Sequence, residues 1–293
     1  MSIKNNALLV SLTVNKPQMT QKDIKATADA EFANSAHGAG QYRKDLYPKS
    51  LVAPITQVES MARSYIERNS YPWGRGEDLI PTTNFMEFAD RMGKFELEFG
   101  QAVTAFLNNW SNVMHQAQQA QGDLFDANAY PDLQDLKSQF RFKVSYRPVT
   151  DMTDFRVQMQ EEEMSLLSKQ VEESTREAMN AALRAPLERL KEVVAKLNEA
   201  TGKEDRLVVN KKTGATDVRS PIFRDSICEN IAREINLLHA FADVLPDNVL
   251  DLARTVANCT PHPQSMRDDP AKRSEVNMQT SALLESIDAM LED

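Results

Sequence analysis

Cysteine is nearly missing from this sequence: Cys228 and Cys259 are the only two in 293 residues. So few thiols cannot build a disulfide scaffold, and a reducing compartment is expected. Nowhere do eighteen apolar residues follow one another, so no bilayer-spanning helix is expected. The aliphatic run 7–14 is too short and too polar for a secretory signal, and the expected address is the cytoplasm. An excess of positive charge is lacking too. The 34 Lys+Arg stand against 43 Asp+Glu, a net charge of −9, which argues against a nucleic-acid binder basic over its whole surface but leaves room for a local basic patch. Glycine is scarce at 9 residues, and with 41% apolar residues the chain can bury a core and leans to helix.

The longest periodic signal starts at Asn84, where Asn84 and Glu87 have capping-box spacing after Pro81. Phe85, Phe88, Met92, Phe95, Phe99, Val103, Phe106, Trp110, Val113 and Ala117 recur about every 3.6 residues, predicting one helix over 84–121 of roughly 55 Å. A second long helix is expected over 160–200, with Pro186 inside it and Gly202 as its stop. Shorter helices are expected from Thr20 towards Asn34 and over 50–69, 132–139, 220–238 and 246–258, and a terminal helix opens at Asp269–Pro270. Residues 71–76, with Pro72, Gly74 and Gly76, read as a loop. Strict alternation over 140–147 sends Phe140, Phe142, Val144 and Tyr146 to one face of a strand and Arg141, Lys143, Ser145 and Arg147 to the other. Residues 7–14 and 155–159 are the strands expected beside it.

The expected fold is therefore mainly α, two long antiparallel helices in a bundle or coiled-coil-like arrangement with a small antiparallel β element. Residues 1–202 form the strand and long-helix core, 203–219 a polar connection with a short ribbon near Leu207, and 220–293 a helical region. Its tail from Ser265 carries seven acidic and three basic residues.

Catalytic patterns are weak. Cys259 and His262 give one half of a zinc-like pair, and Cys228, His239 and His115 do not complete it by spacing. Gly38–Gly40 and the stretch 211–214 lack the order of a phosphate loop. The aspartates of 123–154 fall at helix starts and turns, where capping is their ordinary use. No enzyme activity, cofactor or metal is expected. The apolar stripe suggests self-association or docking of a partner through Phe88, Met92, Phe95, Phe99, Val103, Phe106 and Trp110. The alternative is contact with single-stranded nucleic acid through Lys137, Arg141, Lys143 and Arg147, although the alternation turns the neighbouring rings away from those charges.

Tyr42–Lys44 with Leu46–Pro48, Tyr71–Gly74, Leu79–Pro81 followed by Asn84 and Phe85, Tyr130–Pro131, Asp154–Val157 and Phe223–Ser226 occur in an order that resembles domain-of-unknown-function family 3150 of tailed phages and integrative elements. The resemblance covers about residues 7–258. It implies no reaction. It does imply a host-cytoplasmic setting beside a MoxR-type AAA+ ATPase and a von Willebrand A-type protein. The expected role is a non-catalytic phage-type scaffold that forms a homo-oligomer or docks that ATPase, the alternative being a nucleic-acid-binding accessory of phage recombination or replication.

Overall fold

A computed structural model describes residues 6–74, 76–149, 161–203, 206–209, 216–219 and 222–292; for most of 161–175 and for the strands within 206–219 the description is of backbone alone. The expected strand 155–159 lies outside the described residues. The protein is predominantly helical with a small antiparallel sheet. Its residues divide into two compact units that interleave along the chain: Val10–Arg68 with Met86–Tyr146, and Met1–Leu9 with Asn69–Phe85 and Arg147–Asp293. We call these the aromatic unit and the aliphatic unit. The segment 1–202 thus contributes to both.

The aromatic unit begins in strand β1 (Ala7–Asn15) and continues through β2 (Thr20–Lys22), helix α1 (Ile24–Ala33) and β3 (Arg43–Asp45), which pairs antiparallel with β2. Helix α1 starts later than the sequence suggests. Thr20 is in the strand, and Asp23 is the cap, accepting 2.9 Å from the Ala26 amide. Helix α2 (Lys49–Asn69) buries Val52, Ile55, Val58, Ala62 and Ile66, the three- and four-residue spacing of one helical face. The predicted 84–121 helix is two: α3 (Phe85–Asn108) and α4 (Trp110–Gln121), separated at Asn109, whose φ −96° and ψ 19° leave helical geometry. The Asn109 amide still reaches the Ala105 carbonyl at 3.2 Å and its carbonyl accepts from Val113 at 3.0 Å, so the interruption is one residue wide. Helix α5 (Leu133–Gln139), capped by Asp132, leads into the predicted basic strand.

The aliphatic unit contains the hairpin of β4 (Tyr71–Gly74) and β5 (Glu77–Pro81), where a loop was expected. Its turn uses Gly74 at φ +115° and Gly76 at φ +77°, backbone that side chains resist, so the two glycines that suggested a break instead close a hairpin. Strand β6 (Arg141–Pro148) completes a four-stranded sheet in the order β4–β5–β1–β6. Ala7 and Leu9 of β1 join the core of the aliphatic unit. Helix α6 (Glu161–Thr201) is the only described helix longer than 24 residues. The ribbon expected near Leu207 is present as β7 (Arg206–Val209) against β8 (Thr216–Arg219). Helices α7 (Asp225–Ala240), α8 (Asp247–Cys259), α9 (Pro263–Asp268) and α10 (Pro270–Glu292) follow. Helix α7 starts later than the sequence suggested.

The two long helices of the sequence reading therefore belong to different units. The antiparallel neighbour of α6 is α10: Asn198 Nδ2 donates to the Asn277 carbonyl at 2.9 Å, while nearer the start of α6 Lys191 pairs with Asp288. Asn277 Nδ2 returns a bond to the Asn198 carbonyl at 2.8 Å. Such a reciprocal amide pair fixes register along an otherwise aliphatic seam.

Candidate functional site

The aromatic stripe singled out as a partner surface is inside the protein. Phe88, Met92, Phe95, Phe99, Val103 and Phe106 are all buried, Met92 completely, and Trp110 is half-buried. Their mates come from the same unit. Phe99 meets Phe142 at 5.3 Å, Phe106 meets Phe140 at 5.9 Å and Phe88 meets Tyr146 at 6.4 Å. Tyr65 of α2 lies 5.4 Å from Phe88 and 5.9 Å from Phe95, and Tyr47 lies between Phe106 and Trp110. Burial raises the Tyr47 hydroxyl pKa to about 12, with the neighbouring Tyr130 adding to it. The expectation that a second chain covers these rings is corrected here. The sequence shows how much apolar area one helix carries, but not that α2 and β6 return to cover it.

The surface that α3 leaves open is its other side. Met86 is 78% exposed and Leu97 63% exposed, and between and beyond them lie Gly93, Gly100 and Thr104, all exposed. A Cβ at either glycine would meet nothing within 4 Å. Mid-helix glycine costs about 1 kcal/mol against alanine, so two of them on an exposed face are not explained by helix stability. Met86, Gly93, Gly100 and Leu107 follow at seven-residue intervals, symmetric about a point between Glu96 and Leu97.

The basic strand keeps its predicted alternation. Phe142 is buried, while Arg141 and Lys143 are exposed and have no acidic partner among the described residues. Lys137, in the last turn of α5, is exposed as well. Arg147 differs: both its Nε and Nη2 bond Glu77, which raises its pKa further. The structure thus brings Arg141 and Lys143 together on an open face and closes Arg147 in an ion pair. The rings of β6 face α3, so none of them forms a platform beside these charges.

Sequence reasoning missed one polar cluster, in the aliphatic unit. Tyr71 Oη donates to Glu234 Oε1 at 2.9 Å, Arg189 Nη2 reaches Glu234 Oε2 at 2.9 Å, and Arg189 Nη1 donates to the Ser70 carbonyl at 2.8 Å. The guanidinium also lies over the Tyr71 ring at 5.1 Å. Burial raises the Glu234 carboxyl pKa, opposed by the charge of Arg189 and by both hydrogen bonds, and burial likewise raises that of the Tyr71 hydroxyl. The three residues tie β4, α6 and α7 together. Glu234 sits one step from Ile235 in a helix read only for its apolar positions, so no local signal marked it.

Cys228 and His262 line one surface pocket with Asp225, Glu229 and Arg267. The chain thus brings together two of the residues weighed as metal ligands. The Cys228 thiol donates to the Pro261 carbonyl at 3.4 Å, and burial raises its pKa, with Asp225 adding to the effect. His262 Nδ1 accepts from the Gln264 amide at 3.3 Å, a helix-capping role. Among the described residues no three His, Cys, Asp or Glu side chains converge as a metal site needs, and no helix is long and apolar enough to cross a membrane. Comparison with protein-family models, curated proteins and solved structures finds no match to this chain.

Proposed function

We propose that this protein is a non-catalytic accessory or scaffold protein that self-associates through the outer face of α3. One observation carries the reading: an exposed strip from Met86 to Thr104 in which Leu97 is flanked by Gly93 and Gly100. Glycine lets a second helix approach closely enough for backbone and Leu97 to pack. In a two-fold interface the same strip on each copy meets the other, so residue i of one copy faces j of its mate and j faces i. A strip on one helix is a small interface, so the association is weak and dependent on concentration. The motifs that resemble the phage and mobile-element family add a setting in the host cytoplasm and a MoxR-type AAA+ ATPase as a second partner for the same helical surface, with coiled-coil-like packing of α3 on its mate.

Sedimentation velocity from about 1 to 100 µM is expected to show a rising mass for the natural chain. Leu97→Asp is expected to remain monomeric while its near-ultraviolet circular dichroism, which reports the buried rings, stays unchanged. A natural chain that is monomeric throughout, or an L97D variant that associates equally, would overturn the reading.

A further inference from the structure

We propose that the open face of β1 and β6 in the aromatic unit binds the phosphodiester backbone of nucleic acid without reading its bases. The face follows from the alternation of two strands. Val10 in β1 and Phe142 in β6 are buried, and Phe142 packs on Phe99, so the even-numbered residues of both strands turn towards the core of this unit. The odd-numbered residues turn the other way: Ser11, Thr13 and Asn15 from β1, and Arg141, Lys143 and Ser145 from β6.

No carboxylate belongs to this set. Several cations elsewhere in the unit are paired. Lys16 bonds Glu59 at 2.5 Å, Lys44 bonds Asp23 at 3.2 Å, Lys49 bonds Asp45 at 3.1 Å and Lys94 bonds Asp90 at 2.6 Å. Among the described residues Arg141 and Lys143 have no acidic partner, in a chain whose net charge is −9. They are two residues apart on one strand, a separation of about 6.7 Å. That is comparable to the step between successive phosphates of an extended nucleic-acid strand. The hydroxyls of Ser11, Thr13 and Ser145 and the amide of Asn15 are the uncharged donors that commonly accompany cations at phosphate oxygens.

The direction of the rings sets the mode of binding. Phe140, Phe142 and Tyr146 are engaged with Phe106, Phe99 and Phe88, so bases cannot stack on them. Recognition is then electrostatic, indifferent to sequence and sensitive to salt. The inference does not depend on self-association, because no residue of the α3 outer face takes part.

The test is fluorescence anisotropy with a labelled 20-nucleotide oligothymidine and with an abasic strand of the same length, at low salt. Both are expected to bind, equally and weakly. The double variant Arg141→Glu/Lys143→Glu is expected to lose at least about tenfold in affinity. Its salt dependence should fall by about 0.7 in log–log slope for each phosphate contact removed. Lys94→Glu, on a paired lysine elsewhere, serves as the control and should bind as the natural chain does. The Trp110 emission spectrum checks that the unit remains folded. Absence of binding by the natural chain, unchanged affinity in the double variant, or failure of the abasic strand to bind would each overturn the proposal. So would displacement by polyglutamate at equal charge, which would show a face that accepts any polyanion.

Discussion

The two units of this chain build their interiors from different materials. Fourteen of the twenty aromatic residues lie in the aromatic unit, where ring meets ring along α3. The aliphatic unit packs leucine, isoleucine and valine from α6, α7, α8 and α10, and places among them the buried Glu234 carboxylate paired with a half-buried Arg189. Charge divides as unevenly. The aromatic unit has 13 Lys+Arg against 14 Asp+Glu, the aliphatic unit 21 against 29. Nearly all the net negative charge, −8 of −9, therefore belongs to the aliphatic unit, and the chain-wide value conceals a segment that is close to neutral. Surface arguments drawn from the total charge apply to one unit and not to the other.

Each unit holds one of the two tryptophans, Trp110 in the aromatic unit and Trp73 in the aliphatic unit. Trp73→Phe and Trp110→Phe backgrounds thus give separate fluorescence readings of the two interiors. The largest expected effect is that of Phe99→Ala, which removes a ring 4% exposed and leaves Phe142 facing a cavity. About 4 kcal/mol should be lost from the urea transition seen by Trp110, with the Trp73 transition unmoved. If both transitions shift together, the two interiors unfold as one cooperative body and the contrast drawn above fails.

Arg189→Ala is the mirror experiment. It leaves Glu234 buried without its guanidinium and should cost about 3 kcal/mol, read by Trp73 and not by Trp110. Asn198→Ala, which breaks the amide clamp between α6 and α10, should cost about 1–2 kcal/mol, again on Trp73 alone.

The smallest expected effect is a difference in the response to acid. In the aromatic unit, the hydrogen bond from Ala26, aided by Lys44, holds the Asp23 carboxyl below its ordinary value. Burial pushes Glu59 up, but Lys16 and Arg63 outweigh it and its pKa is lowered. A lowered folded value means stability that is present above the unfolded pKa and lost as pH falls through the folded one. Glu234 in the aliphatic unit is raised, so its contribution is fully present below its ordinary value and is lost as pH rises through the folded one. Between pH 7 and pH 4 the Trp110 transition should therefore weaken relative to the Trp73 transition. Equal weakening of both would show that these carboxyls do not govern the acid response.

Much of the fold was legible because its signals are local. The stripe from Phe88 to Ala117, the alternation of 140–147, the ribbon at Leu207 and the Asp132 cap each show in a few neighbouring residues what the backbone does. The β4–β5 hairpin was not legible, since Pro72, Gly74 and Gly76 signal a loop equally well until a pairing partner is known. The Tyr71–Arg189–Glu234 cluster was not legible either. Its members are more than a hundred residues apart in part, with Tyr71 and Glu234 separated by 163 positions.

The candidate surfaces divide in the same way. Arg141 and Lys143 were read as an exposed basic face, and they are exposed. The sequence by itself determined which residues share a face, because helix and strand periods are properties of the backbone. Only the tertiary structure decided which face would be covered. Coverage of the α3 stripe depends on α2 and β6 arriving from distant parts of the chain, and on the close packing of rings that no single segment can specify.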